Sequence, residues 1–157
     1  MKKINPDYLR NLIFGTEDAL VSTVGVLFGL ATKGNYSPSQ LITAGLIVIA
    51  VEALSMGAGS FLTEESVHKT QGIIKLHKDN PTIGALIMFF SYFISGVIVL
   101  LPYIFLPVST AKIVSIALTA IMLFSAGFLP TKNLKQGLKM VLVAGAAILV
   151  GFGIASI

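Results

Sequence analysis

The sequence has no cysteine, which removes disulfides, thiolate metal ligands and cysteine nucleophiles together. Charge is scarce as well. Only 11% of residues are charged against 55% apolar, and a water-soluble domain of 157 residues cannot hide that much apolar surface. The solvent must therefore be lipid. No His-Glu-x-x-His, no Ser, His and Asp set and no pair of aspartates on separate apolar runs occurs. Intramembrane hydrolysis thus has no machinery, and neither an enzyme nor a cofactor is expected. The excess of 11 basic over 7 acidic residues does not point to nucleic acid, because the basic residues sit at the ends of apolar runs and form no single patch.

What is present is a series of apolar runs, each of about 20 residues, which is the length needed to cross a bilayer as a helix. Asn5-Pro6-Asp7 carries the marks of an N-cap, a first-turn proline and an early acid, so a first helix should run to about Ala31. Glu17 and Asp18 interrupt it where the apolar centre of a signal peptide would be, which argues against cleavage. Ser37-Pro38-Ser39-Gln40 opens a second run, Leu41 to Leu62, as a capping box, and the helix can continue beyond the membrane. Asn80-Pro81 caps a third run through Leu101, with Pro102 and Pro107 bracketing a turn. A fourth run spans Ile113 to Leu129, Pro130 to Lys139 reads as a loop and fraying helix start, and a fifth covers Met140 to Ile157. The fold class is thus all-α integral membrane: residues 1–157 form a single domain of five transmembrane helices, and residues 63–80 form a short cytoplasmic connection. Lys2, Lys3, Arg10, Lys69, Lys75, Lys78, Lys132, Lys135 and Lys139 fall on one side and only Lys33 and Lys112 on the other. That asymmetry places the N-terminus in the cytoplasm and the C-terminus outside or in a lumen.

The chemistry lies in the first two spans. At 100° per residue, Gly15, Asp18, Ser22, Gly25 and Gly29 share an arc of roughly 80°. Gly45, Glu52, Met56, Gly59 and Thr63 make a similar face on the second, with Ser55 beside them. Small residues let two such faces approach closely in lipid. An ionised acid at the bilayer centre costs about 2.5–3.5 kcal/mol on insertion scales. Asp18, Glu52 and Glu17 have no basic neighbour deep in the membrane, so a proton or a bound cation must compensate them. A site that trades one for the other couples two gradients. Glu17 points about 110° away from the glycine stripe, toward another helix or the cytoplasmic mouth. Beyond the second span, Glu64, Glu65 and His68 lie within a helical turn and could collect cations, or could simply be a solvated helix end.

Gly15-Thr-Glu-Asp-Ala-Leu-Val-Ser22 and Ala53-Leu-Ser-Met-Gly-Ala-Gly-Ser60 resemble the first two spans of the vacuolar iron transporter family. Phe90-Ser-Tyr-Phe-Ile-Ser-Gly96 with Leu100-Leu-Pro-Tyr103, and Gly137 to Gly145, are similar to its third and fifth. The resemblance implies a five-helix fold, a homodimer with the pathway at the subunit interface, and export of Fe²⁺ in exchange for protons. It also implies that Asp18 and Met56 coordinate the metal. Two departures stand out. The family commonly has Asn-Asp-Gly where this chain has Glu17-Asp18-Ala19, and Thr63 to Asn80 is too short for the glutamate-rich cytoplasmic insert of its better-known members.

The expected function is proton-coupled export of Fe²⁺, with Mn²⁺ second, through Asp18, Glu52 and Met56. Hard carboxylates with one thioether suit these ions, and the lack of cysteine argues against copper. The expected partners are lipid, metal cations, protons and a second copy of the chain, in a plasma (inner) or vacuole-type membrane. The rival readings are a non-transporting metal-binding module that works with an iron-storage partner, and a packing role for protonated acids.

Overall fold

A computed structural model describes residues 5–34, 36–70 and 80–156. Every regular element within them is an α-helix: α1 (Pro6–Lys33), α2 (Pro38–Thr70), α3 (Pro81–Phe105), α4 (Val108–Thr131) and α5 (Leu134–Ala155). All five are long and apolar enough to cross a membrane, and the protein is an all-α, multi-pass membrane protein. Large apolar side chains such as Ile113, Leu142 and Phe105 face outward, the last 76% exposed. In water that surface would drive aggregation; in lipid it is the solvated side.

The helix starts follow local chemistry. Asn5 Oδ1 accepts from the Asp7 N–H at 3.0 Å, and Asn80 Oδ1 from Thr82 N–H at 2.9 Å. Ser37 and Gln40 close their box reciprocally, at 2.8 Å from Ser37 N–H to Gln40 Oε1 and 3.3 Å from Gln40 N–H to Ser37 Oγ. α1 ends at Gly34, whose φ of 77° is the left-handed conformation that glycine enters without penalty.

Two boundaries differ from those read off the sequence. α3 runs through Pro102 to Phe105, because a proline in the last turn leaves only one carbonyl without its usual donor and the Leu106 N–H still reaches Pro102 O at 2.9 Å. The α4–α5 connection shrinks from the expected loop of 130–139 to Lys132 and Asn133: Pro130 sits inside α4, and Asn133 caps α5 by accepting from Lys135 N–H at 2.9 Å. Residues 63–70 of the connection are helical, the continuation beyond the second run that its sequence allowed. The 33 residues of α2 extend about 50 Å, well past an apolar layer of about 30 Å. The rest of the connection, with Lys75 and Lys78, lies outside the described residues, as do Lys2 and Lys3.

α1 is the central element and touches all four others. Its Leu20, Val24 and Leu27 are fully buried with Leu41 and Ile49 of α2, Val99 of α3 and Leu123 of α4. The glycine stripe of α1 does not meet α2, as the matching small faces had implied. A Cβ on Gly15 would come within 2.8 Å of Met88 O on α3, and one on Gly29 within 3.0 Å of Gly151 O on α5. Periodicity shows that a face is small, while the choice of neighbour depends on the other helices.

Candidate metal site

α1, α2 and α3 converge midway along their lengths on Tyr92. Ala19, Ala53 and Tyr92 are fully buried against one another, with Met56 and Phe89 packed on them. Each alanine directly follows a carboxylate, so this small apolar contact fixes where Asp18 and Glu52 begin. The Tyr92 hydroxyl donates to Glu52 Oε2 and lies 2.6 Å from Ser22 Oγ. Asp18 stands one turn before Ser22 and within electrostatic reach of Glu52. Two carboxylates, a serine and a tyrosine from three helices thus form one constellation, and Met56 packs against its floor. Two like charges in mid-bundle are tolerated when a proton or a cation lies between them.

Two cavities flank the constellation. The larger, 880 Å³, opens at the end of the bundle where α1 starts and is lined by Arg10, Asn11, Glu17, Met56, Ser60 and Glu64 among others. The smaller, 580 Å³, runs between α1 and α5 to the opposite end and is lined by Asp18, Ser22, Gly25, Gly29, Lys33 and Tyr36 among others. Met56 faces the first and Asp18 the second, with Ala19, Ala53 and Tyr92 at the same level of the bundle. Glu17 faces the cavity at the N-terminal end, one of the two positions its angle on α1 allowed.

The three groups at the end of α2 do not gather. Glu64 turns inward and is only 8% exposed, accepting from Asn11 Nδ2 at 2.9 Å and from Ser60 Oγ at 3.4 Å, with Arg10 at 3.8 Å. Glu65 instead pairs with Lys69 at 3.0 Å. Among the described residues no three His, Asp or Glu side chains form a ready-made metal cage, and Glu64, Glu65 and His68 are no exception. Adjacent residues on a helix point about 100° apart, so Glu64 and Glu65 cannot both face inward.

Sequence reasoning missed Tyr92 and Asn11. Asn11 carried a usable signal: it sits four residues before Gly15 and so extends the small and polar stripe of α1 by one turn. Tyr92 carried none beyond its place in the third-span motif, because a tyrosine in an apolar run reads as core.

The VIT family pattern matches residues 9–73 and 64–156, which together cover nearly the whole chain. The chain belongs to the VIT family. The two matched blocks overlap over residues 64–73, which include the end of α2. A vacuolar iron transporter from Centaurea cyanus is 24% identical over 212 aligned positions, covering 94% of this chain and 86% of the relative. Vacuolar iron transporter 1 from Eucalyptus grandis is 23% identical over 214, covering 95% and 86%. Both alignments are longer than the 157-residue chain, so these relatives carry residues inside the aligned span that this VIT-family chain lacks.

Proposed function

We propose that the chain carries Fe²⁺, with Mn²⁺ as a second cargo, from the cytosol across the membrane in exchange for protons. One observation carries this reading: Asp18 and Glu52 lie close enough in mid-bundle for their charges to interact, with no basic residue in the middle of α1, α2 or α3, and a cavity lies toward each end. An ion bound by the two carboxylates, handed on from the Met56 thioether in the larger cavity, relieves their repulsion; protons do the same when the ion leaves. Binding of cation and proton is then mutually exclusive, which is the thermodynamic requirement for exchange. The names of the two relatives support iron as the cargo. Ser55, Gly59 and Thr63 are exposed on α2, and nothing lies within 4 Å of a Cβ at Gly59. They line the larger cavity, and a homodimer in which a second copy closes its open side fits that placement.

The test is uptake by proteoliposomes. Fe²⁺ influx should follow an imposed pH gradient and be lost in Asp18→Asn. Influx insensitive to that change sinks the site assignment, and metal binding without flux favours the non-transporting module.

A further inference from the structure

The larger cavity passes a carboxylate that the exchange at Asp18 and Glu52 does not use. We propose that Glu64 is a separate capture site for the divalent cation, filled before the ion reaches Met56, with Arg10 as the counter-ion that holds the site when it is empty. The proposal rests on the transport reading and adds to it a second binding step.

Glu64 is more than nine-tenths buried, and its two oxygens differ. Oε1 accepts from Asn11 and Ser60, both neutral donors, while no donor among the described residues reaches Oε2. A carboxylate serving only to tie helices together would be expected to have both oxygens satisfied, since an unmatched buried acceptor weakens the fold it is meant to hold. The group is also held in place. A Cβ at Gly84 would lie 2.6 Å from Oε2 and 2.9 Å from both Oε1 and Asn11 Nδ2, so the carboxylate rests on the bare backbone of α3. Its charged partner Arg10 is loose: Nη2 stands 3.8 Å away, beyond hydrogen-bonding distance, on a side chain 65% exposed. It can move into water without breaking a buried contact, and a divalent ion competes for the carboxylate with twice its charge.

The same cavity then leads inward. Met56 lies eight residues up α2 from Glu64, about 12 Å by helix rise, and Glu17 lies six residues past Asn11 on α1, about 9 Å deeper. Ser55, Ser60 and Thr63 line the way between them and supply neutral oxygens for a partly hydrated ion. Side-chain oxygens thus occur along the cavity from its mouth to the thioether, among apolar neighbours such as Phe14 and Met88.

The test is a Mn²⁺ titration of the purified full-length chain in detergent, with free ion read from its paramagnetic resonance signal. The native chain should bind two ions; Glu64→Gln and Asp18→Asn should each retain one. Arg10→Gln should keep both and bind the outer ion about two- to fivefold more tightly, the range expected on removing a surface ion pair. A purely structural Glu64 would not give opposite effects in Glu64→Gln and Arg10→Gln. Native stoichiometry in Glu64→Gln, or loss of all binding in Asp18→Asn, overturns the capture site. A single native ion lost in Asp18→Asn and unaffected by Glu64→Gln overturns it while leaving the transport reading intact. No binding by the native chain removes both.

Discussion

At the scale of the residue, the mid-membrane constellation depends on one phenolic hydroxyl. Tyr92 holds Glu52 through its O–H and sits beside Ser22, so Tyr92→Phe leaves a half-buried carboxylate oxygen and hydroxyl without this partner. The loss should be about 1–3 kcal/mol of stability. Glu52 is then no longer fixed relative to Asp18, and a loss of about 1.4 kcal/mol of ion binding corresponds to a tenfold higher half-saturating Fe²⁺ concentration. Thermal unfolding in detergent and proteoliposome uptake check the two parts separately; a Tyr92→Phe protein with native uptake would show that the hydroxyl only fills space. Asp18 and Glu52 were legible in the sequence because an acid in an apolar run with no base nearby demands an explanation on its own. Tyr92 was not, since an aromatic in a lipid-spanning helix needs no polar partner to account for it. The inward turn of Glu64 in preference to Glu65 was also hidden. Two neighbouring acids at a helix end look equivalent until Asn11 of α1 and Gly84 of α3 single out one of them.

At the scale of the element, the smaller cavity exists because α1 and α5 approach backbone to backbone. A Cβ on Gly151 would lie 2.4 Å from Gly25 O, an atom that cannot rotate away. Gly151→Ala must therefore push the helices apart, at about 1–3 kcal/mol, and because Asp18 and Ser22 line the same groove, transport should fall with it. Gly145→Ala is the control on the same helix. Nothing lies within 4 Å of its Cβ, so its melting temperature should match or exceed the native value. Equal melting of the two variants would show that the α1–α5 contact is not close in the membrane. Helix count and most starts were legible because Asn-Pro and Ser-x-x-Gln caps act locally. The ends at Pro102 and Pro130 were not. A proline reads as a breaker, yet within the last turn it removes a single hydrogen bond, and the helix continues past it. The partner of the α1 stripe was beyond reach for a different reason: α3 and α5 both offer small residues, and only the assembled bundle decides between them and α2.

At the scale of the whole molecule, direction of transport depends on orientation. Among the described residues Arg10, Lys69, Lys132, Lys135 and Lys139 lie at the end where α1 starts and Lys33 and Lys112 at the other, an asymmetry that should hold the first end in the cytoplasm. The 880 Å³ cavity with Glu64, Glu17 and Met56 opens at this same end, so capture from the cytosol and export toward the α1–α5 groove follow only if the charge rule holds. The absence of cysteine makes the test simple, because any single introduced thiol is the only one in the chain. Ser39 and Ser156 are exposed at the far end, and Thr82 is exposed at the near end beside the Asn80 cap. In intact cells a membrane-impermeant maleimide should label Ser39→Cys and Ser156→Cys at once, and Thr82→Cys only after the membrane is opened. Five helices put the two termini on opposite faces, so this pattern also checks the number of crossings. Labelling of Thr82→Cys alone would invert the molecule, turn the Glu64 cavity away from the cytosol, and make the same carboxylates a route for import.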